Sequence, residues 1–397
     1  MALDLLSLDA AQARILSLGS PLPIEQAPLT VALGRHLAEP VLACRTQPAA
    51  DLSAMDGYAI RFAELPGPWV VVGESAAGRG LDRALAPGEA ARIFTGAPMP
   101  EGADTILVQE EATRDGERLD LDGEGPPRPG SSVRRAGSDF ADGAVLIEAG
   151  ALLTPARIAL AAIGGHGAVA VSRRPSVAIV STGDELVPPG APTPCVMLPG
   201  SNGVMLQTML AAAPADVRDH GIVPDLLDVM ADAFAAAAAG ADIVVTSGGV
   251  SVGDHDLVRP ALERIGARLD FWRVAMRPGK PLMAGTLGRT IILGLPGNPV
   301  SAFVTGHVFL LPLVRHLAGD PRPLPHGIGK RLSGPLPAVG PRTDLLRGAI
   351  DGDHVLPLKS ADSAMLLELS RADALIVRAA GSPPAQAGDV CHVLPLA

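Results

Sequence analysis

Three short loops in the middle of the sequence carry the groups best suited to chemistry. They are Ser181-Thr182-Gly183-Asp184-Glu185, then Thr246-Ser247-Gly248-Gly249-Val250-Ser251-Val252-Gly253-Asp254, then Pro296-Gly297-Asn298-Pro299. Each follows a short apolar run, so each would sit at the end of a strand. Glycine lets backbone N–H groups come close to an anion, a following helix adds the positive end of its dipole, and Ser and Thr supply further donors. One such loop alone reads as ordinary turn chemistry. Three on one sheet edge point to a ligand bearing phosphate. The sequence has no G-x-x-x-x-G-K-[ST], and no G-x-G-x-x-G follows a strand, which excludes a P-loop and a Rossmann dinucleotide site.

Carboxylates sit on the same loops: Asp184 and Glu185, then Asp254 and Asp256. Hard oxygen donors of this kind suit Mg²⁺, which takes one or two carboxylates together with ligand phosphates. Helix capping is the competing role for Asp254 or Asp256. Cations follow in Phe271-Trp272-Arg273-Val274-Ala275-Met276-Arg277-Pro278-Gly279-Lys280-Pro281. Arg273 and Arg277 are an even number of residues apart, so a regular strand would project both to one face, where with Lys280 they could hold an oxyanion. The alternative is a charged, solvated edge strand. Two further motifs, Ser53-Ala54-Met55-Asp56-Gly57-Tyr58-Ala59 and Arg92-Ile93-Phe94-Thr95-Gly96-Ala97-Pro98-Met99-Pro100, read singly as hairpin turns.

The elements that must position these loops follow from periodicity. Leu8, Ala11, Ile15 and Leu18 predict an N-terminal amphipathic helix, stopped by Gly19 and Pro21. Residues 43–143 alternate short β-like runs (Val70–Val72, Ala90–Phe94, Thr105–Val108, Leu119–Leu121) with Gly/Pro turns, which predicts a β-rich domain with a loop over Asp122–Ser132. Thr154-Pro155 starts a helix that ends at Gly164-Gly165. From 172 to 320 the apolar runs Val177–Val180, Ile243–Val245 and Ile291–Leu295 read as buried parallel strands. They alternate with helices over Asn202–Ala213, Asp225–Ala239 and Asp256–Ile265 and from Pro299 onward. That alternation predicts a doubly wound α/β sheet, whose ligands bind beyond the carboxyl ends of the strands. After Pro321–Pro325, Leu345–Ile350 and His354–Leu358 flank Asp351-Gly352-Asp353, a hairpin signal, and Ala374–Val377 and Val390–Leu394 complete a small barrel or sandwich.

Composition narrows the function classes. With 397 residues, 48% of them hydrophobic, the chain can build several cores and is not globally disordered. A net charge of −10 argues against sequence-independent nucleic-acid binding. Cys44, Cys195 and Cys391 form no C-x-x-C pair, which points to a reducing compartment. No basic leader precedes the first helix, and the longest apolar stretch is broken by Gly240 and Asp242. The expected location is therefore the cytoplasm, with no membrane anchor.

Taken together, SAMDGYA, RIFTGAPMP, STGDEL, TSGGVSVGD, RPGKP and GLPGNPVSA occur in the order in which they occur in one family. The sequence resembles the molybdopterin molybdenumtransferases and their relative, the gephyrin E-domain, over nearly its whole length. The resemblance implies a multidomain fold. Residues 1–23 form a helix against the α/β domain, 24–42 with 144–171 a linking domain, 43–143 the β-rich domain, 172–320 an α/β domain like molybdopterin adenylyltransferase, and 321–397 a barrel-like β domain. It implies a homodimer whose site is shared between subunits, with Mg²⁺ as cofactor, molybdate and adenylylated molybdopterin as substrates, and AMP as a product.

Molybdopterin adenylyltransferase is a compatible second partner. By motif, the catalytic positions are Asp56, Thr95, Glu185, Asp225 and Asp256. Substrate binding falls to Arg134, Asp139, Arg273, Arg277, Lys280, Pro296, Pro299 and Ser363, together with Ser181, Thr182, Gly183, Ser247, Gly248, Gly249, Ser251, Gly297 and Asn298 of the strand-end loops. Glu185, Asp254 and Asp256 are the metal candidates. Where the family can carry Lys, positions 273 and 277 are Arg, which keeps the charge and adds a planar fork. The alternatives are the adenylyltransferase itself, which lacks the SAMDGYA and RIFTGAPMP domain, and a gephyrin-like scaffold, which has no need to keep the polar site.

Overall fold

The computed structural model describes residues 5–194, 196–249, 257–359 and 362–396. The chain divides into two compact units: 1–26, 34–38 and 170–397 form one, and 27–33 with 39–169 the other.

The larger unit begins with β1 (Leu5–Leu6) and α1 (Leu8–Leu16). Ser7 caps α1, its side chain accepting from the N–H of Ala10, and the helix buries Ala11 and Ile15 at the predicted spacing.

The other unit holds a six-stranded sheet of β2 (Gly57–Ile60), β3 (Trp69–Ser75), β4 (Glu89–Ile93), β5 (Thr105–Val108), β6 (Ala112–Asp115) and β7 (Arg118–Leu121). Their order is β5-β2-β4-β3-β7-β6. Alternation divides its apolar residues between two small cores: Tyr58, Ile60, Trp69 and Leu107 in one, Ala59, Ala91, Ile93 and Ile106 in the other. The unit closes with α2 (Pro155–Ile163), where Thr154 accepts from the N–H of Arg157 and Pro155 fills the first turn. Proline there loses no hydrogen bond, because that N–H has no intrahelical partner.

Back in the larger unit, strand and helix alternate. The elements are β8 (Ser176–Thr182), α3 (Ser201–Leu210), β9 (Asp216–Val223), α4 (Leu227–Ala238), β10 (Ile243–Ser247), α5 (Val258–Arg264), β11 (Arg268–Val274), β12 (Met276–Arg277), β13 (Pro281–Leu287), β14 (Thr290–Leu295), α6 (Pro299–Thr305) and α7 (Leu311–Leu317). Seven strands line up as β1-β11-β13-β14-β10-β8-β9. The three runs predicted as parallel, β8, β10 and β14, are parallel neighbours. β13 had no clear sequence signal and runs antiparallel to both β11 and β14. Val177 and Ile179 face a core shared with α1, α3, α6 and α7, while Ala178 and Val180 face one shared with α4 and α5. Burial on both faces is why these strands read as unbroken apolar runs. Strand order reverses around β8, whose neighbours β9 and β10 lie on opposite sides, so a crevice opens beyond the ends of β8 and β10.

The rest of the unit comprises β15 (Ile328–Leu332), β16 (Thr343–Asp351), β17 (His354–Pro357), α8 (Leu366–Leu369), β18 (Ala374–Arg378) and β19 (Val390–Pro395). The pairings β16-β17-β15-β19-β18 return to β16, closing a five-stranded barrel. Gly352, at φ +56°, makes the predicted turn between β16 and β17. Among the described residues one helical run, Pro299–Leu317, is long and apolar enough to cross a membrane by length and composition. It is 83% buried inside the protein and serves as a core helix.

Candidate active site

The ends of β8, β10 and β14 surround a cavity of about 1040 Å³. Ser181, Thr182, Gly183 and Glu185 line it from the first loop, Ser247, Gly248 and Gly249 from the second, and Pro296, Gly297, Asn298 and Pro299 from the third. Asp225, Arg273 and Lys280 complete the predicted set within it. Two of the glycines are required by the backbone. Gly248 has φ +102°, and a Cβ on it would lie 2.7 Å from the Thr182 carbonyl oxygen. Gly183 has φ +141°, and a Cβ there would meet the Glu185 carboxylate at 2.5 Å. At Gly248 the second loop thus lies backbone against backbone on the first, with its own N–H donating to the Leu295 carbonyl at 3.2 Å, while the hydroxyls of Ser181, Thr182 and Ser247 line the cavity.

Asp225 was expected inside a helix, but α4 starts at Leu227 and leaves it on the preceding loop. Its N–H donates to Asp184 Oδ1 at 2.9 Å, which ties this loop to the STGDE loop. Burial raises the pKa of Asp225, and the nearby charges of Asp184 and Glu185 push it the same way. Two carboxylates, Glu185 and Asp225, thus line the same cavity as two cations, Arg273 and Lys280. Ser363 is brought to the same place: its Oγ accepts from Asn298 Nδ2 at 3.0 Å, and its carbonyl accepts from the Val300 N–H at 3.0 Å. Ser251, Asp254 and Asp256 lie outside the described residues.

The expected pairing of Arg273 with Arg277 on one strand face is corrected by the structure. The strand breaks at Ala275. Arg273 belongs to β11 in the α/β sheet, whereas Arg277 belongs to β12, which pairs with β16 of the barrel. Arg277 donates to Asp344 Oδ2 at 2.6 Å and lines a second cavity, of about 200 Å³, together with Arg347, Lys359 and Arg378. Even spacing predicts a shared face only while a strand stays in one sheet.

In the other unit the two motifs read as separate hairpin turns are paired strands: Gly57 lies opposite Ile93, and Tyr58 opposite Arg92. Pairing brings Asp56 to Thr95, whose N–H and Oγ–H both donate to Asp56 Oδ1, at 2.7 and 2.8 Å. Those two bonds lower the pKa of Asp56, and its second oxygen has no partner among the described residues. The Arg92 guanidinium lies over the rings of Tyr58 (5.3 Å) and Phe94 (4.6 Å) and donates to the Gly57 carbonyl, stiffening the same corner. Arg134 is exposed on a short strand opposite Leu52, and Asp139 donates its N–H to the Gln47 carbonyl.

Sequence reasoning missed several walls of the main cavity: Asn202 in the first turn of α3, and the apolar Leu186, Leu198 and Leu366. For Asn202 a signal existed, a side-chain amide just after Gly200-Ser201 where a helix begins at the same sheet edge. The leucines carried none.

Three family descriptions match the chain in order: "MoeA N-terminal region (domain I and II)" over residues 6–165, "Probable molybdopterin binding domain" over 178–316, and "MoeA C-terminal region (domain IV)" over 330–396. The molybdopterin molybdenumtransferase of Haemophilus influenzae is 38% identical, covering 80% of this chain and 78% of that protein. The Nostoc protein of the same name is 42% identical, over 73% of this chain and 69% of that protein. A crystal structure of the molybdopterin biosynthesis MoeA protein of Pyrococcus horikoshii superposes with a TM-score of 0.83 and 27% identity, covering 99% of this chain and 100% of the other. Family regions, relatives matched over more than two thirds of their length and fold coincide, and the chain belongs to the molybdopterin molybdenumtransferase (MoeA) family.

Proposed function

We propose that this protein inserts molybdate into adenylylated molybdopterin, completing the molybdenum cofactor and releasing AMP. The observation that carries the reading is the 1040 Å³ cavity, in which three glycine- and hydroxyl-bearing loops converge beside Arg273 and Lys280. That volume suits a two-part ligand, a pterin joined to a nucleotide, with the apolar Leu186, Leu198 and Leu366 against the rings. Positioning and neutralisation of anionic oxygens dominate chemistry of this type. Arg273, Lys280 and the loop N–H groups hold the phosphoanhydride. Arg277, with Arg347, Lys359 and Arg378 around a cavity of oxyanion size, holds molybdate on the other side of the Pro278-Gly279 turn.

The donor set fits Mg²⁺. Glu185 and Asp225 offer two hard carboxylates to the same cavity; burial is the main cause that raises Asp225, the charges of Asp184 and Glu185 add to it, and a bound cation would offset both. When bound, Mg²⁺ would neutralise phosphate charge. Asp56, held ionised by Thr95, belongs to the site as well. We infer a homodimer with a site shared between subunits, as the family resemblance implies, two-fold symmetry being the commonest closed form. Molybdopterin adenylyltransferase, as the supplier of the precursor, is a natural partner, and the cytoplasm is the location.

The test is reconstitution. Purified protein, adenylylated molybdopterin, Mg²⁺ and molybdate should activate an apo-molybdoenzyme with stoichiometric AMP release. Production of the adenylate instead of its consumption would overturn the assignment.

A further inference from the structure

Asn202 makes an unusual pair of contacts at the cavity. Its Nδ2 donates to Ser247 Oγ at 2.8 Å and to the Gly297 carbonyl at 2.7 Å. A carbonyl can only accept, which fixes the orientation of the amide and makes Ser247 Oγ an acceptor in the first bond. A hydroxyl that accepts still has one hydrogen to give. Ser247 is 3% exposed, lines the cavity, and its hydrogen finds no acceptor among the described residues. Among the described residues Asn202 uses only its donor end; Oδ1 is buried and meets no partner there. A purely structural amide would satisfy both ends. Gly203 packs α3 against the end of β8, where a Cβ would lie 3.1 Å from Ser181 Oγ, so the first turn of the helix is held at the loops it bridges.

We infer that Asn202 is a positioning residue that fixes the Ser247 hydroxyl as a hydrogen-bond donor into the cavity, directed at a phosphate oxygen of the ligand. It simultaneously locks the second and third strand-end loops together. The inference rests on the proposal that the cavity takes the nucleotide-bearing precursor. Asn202→Asp keeps the size of the side chain and reverses its role: a carboxylate accepts the Ser247 hydrogen and withdraws it from the ligand.

The experiment is a double-mutant cycle on AMP affinity, measured by equilibrium dialysis with the full-length protein. Asn202→Ala should weaken AMP binding about three- to tenfold, the partial loss of one charge-assisted hydrogen bond. Asn202→Asp should weaken it more. In a Ser247→Ala background, Asn202→Ala should cost less than about twofold, because the hydrogen it orients is gone. A role in packing alone would leave the two losses additive. If Asn202→Ala does not fold, the same cycle is run with the uncharged Asn202→Ser, whose loss must likewise shrink in the Ser247→Ala background. Additive losses, or full affinity in Asn202→Ala, would overturn the inference. Failure of the wild-type protein to bind AMP would overturn the reading of the cavity, and the inference with it.

Discussion

Arg277→Ala should damage both stability and molybdate use, and the two effects can be separated. Arg277 is about half exposed, but its partner Asp344 has a side chain only 8% exposed, and the N–O distance is 2.6 Å. Removing the arginine leaves a carboxylate buried without its counter-ion. Breaking a fully buried pair costs about 3–5 kcal/mol, and the exposure of Arg277 screens the pair, so about 1–2 kcal/mol is the reasonable scale here. Replacing Asp344 as well, in Arg277→Ala/Asp344→Asn, removes the stranded charge and should restore most of the melting temperature. Molybdate use should not recover. A guanidinium donating to an oxyanion is worth about 1.5–3 kcal/mol, roughly a ten- to hundredfold rise in the molybdate concentration needed for half-maximal cofactor formation. Arg277→Lys should recover part of it, keeping the charge without the planar fork. The assay is cofactor formation across a molybdate titration, with thermal melts alongside. Should the double variant regain wild-type molybdate dependence together with its stability, Arg277 would be a structural partner of Asp344 and no part of the oxyanion site.

Gly248→Ala places a side chain at φ +102°, 2.7 Å from the Thr182 carbonyl, so it should cost about 1–3 kcal/mol and abolish AMP binding; a neutral melt with normal affinity would contradict the packing of the loops. Mixing Asp56→Asn copies with Lys280→Ala copies should restore about a quarter of wild-type activity if each site draws on two subunits, and none if each subunit is self-sufficient. Burial pushes the His307 imidazole down to about 4, with Arg315 adding to the shift, so the unfolded chain takes up a proton near pH 6.5 that the folded chain refuses. Stability should therefore fall as pH drops from about 6.5 towards 4, by at most about 3 kcal/mol, and His307→Gln should flatten that slope; parallel pH curves would refute it.

Much of this was legible in the chain, and the reasons differ by element. The buried strands were plain because both faces are covered, so Val177–Val180 and Ile243–Val245 are apolar at every position. The three loops were plain because their chemistry is backbone chemistry, and backbone chemistry demands glycine. Long-range pairing was not legible. That Asp56 meets Thr95 depends on β2 lying beside β4, which neither motif encodes. Strand β9, Asp216–Val223, lies at the sheet edge and is mostly polar, so it lacked the alternation that marks a half-buried strand. The separation of Arg273 from Arg277 was hidden for a related reason: a strand that leaves one sheet for another keeps its spacing in sequence and loses its meaning in space.

That one-residue crossing at Ala275 also bears on how the protein can come apart. The Ala275 N–H donates to the Leu6 carbonyl, and the Ala275 carbonyl accepts from the Thr343 N–H, so a single residue stitches the α/β sheet to the barrel. The apolar core makes the same join: Leu345, Leu369, Leu375 and Leu394 of the barrel belong to one cluster with Ile179, Leu293 and Phe309. The barrel is accordingly not a detachable appendage. A fragment ending near residue 320 would not be a smaller enzyme but a sheet with its flank exposed, and heat should unfold the two parts in one cooperative transition.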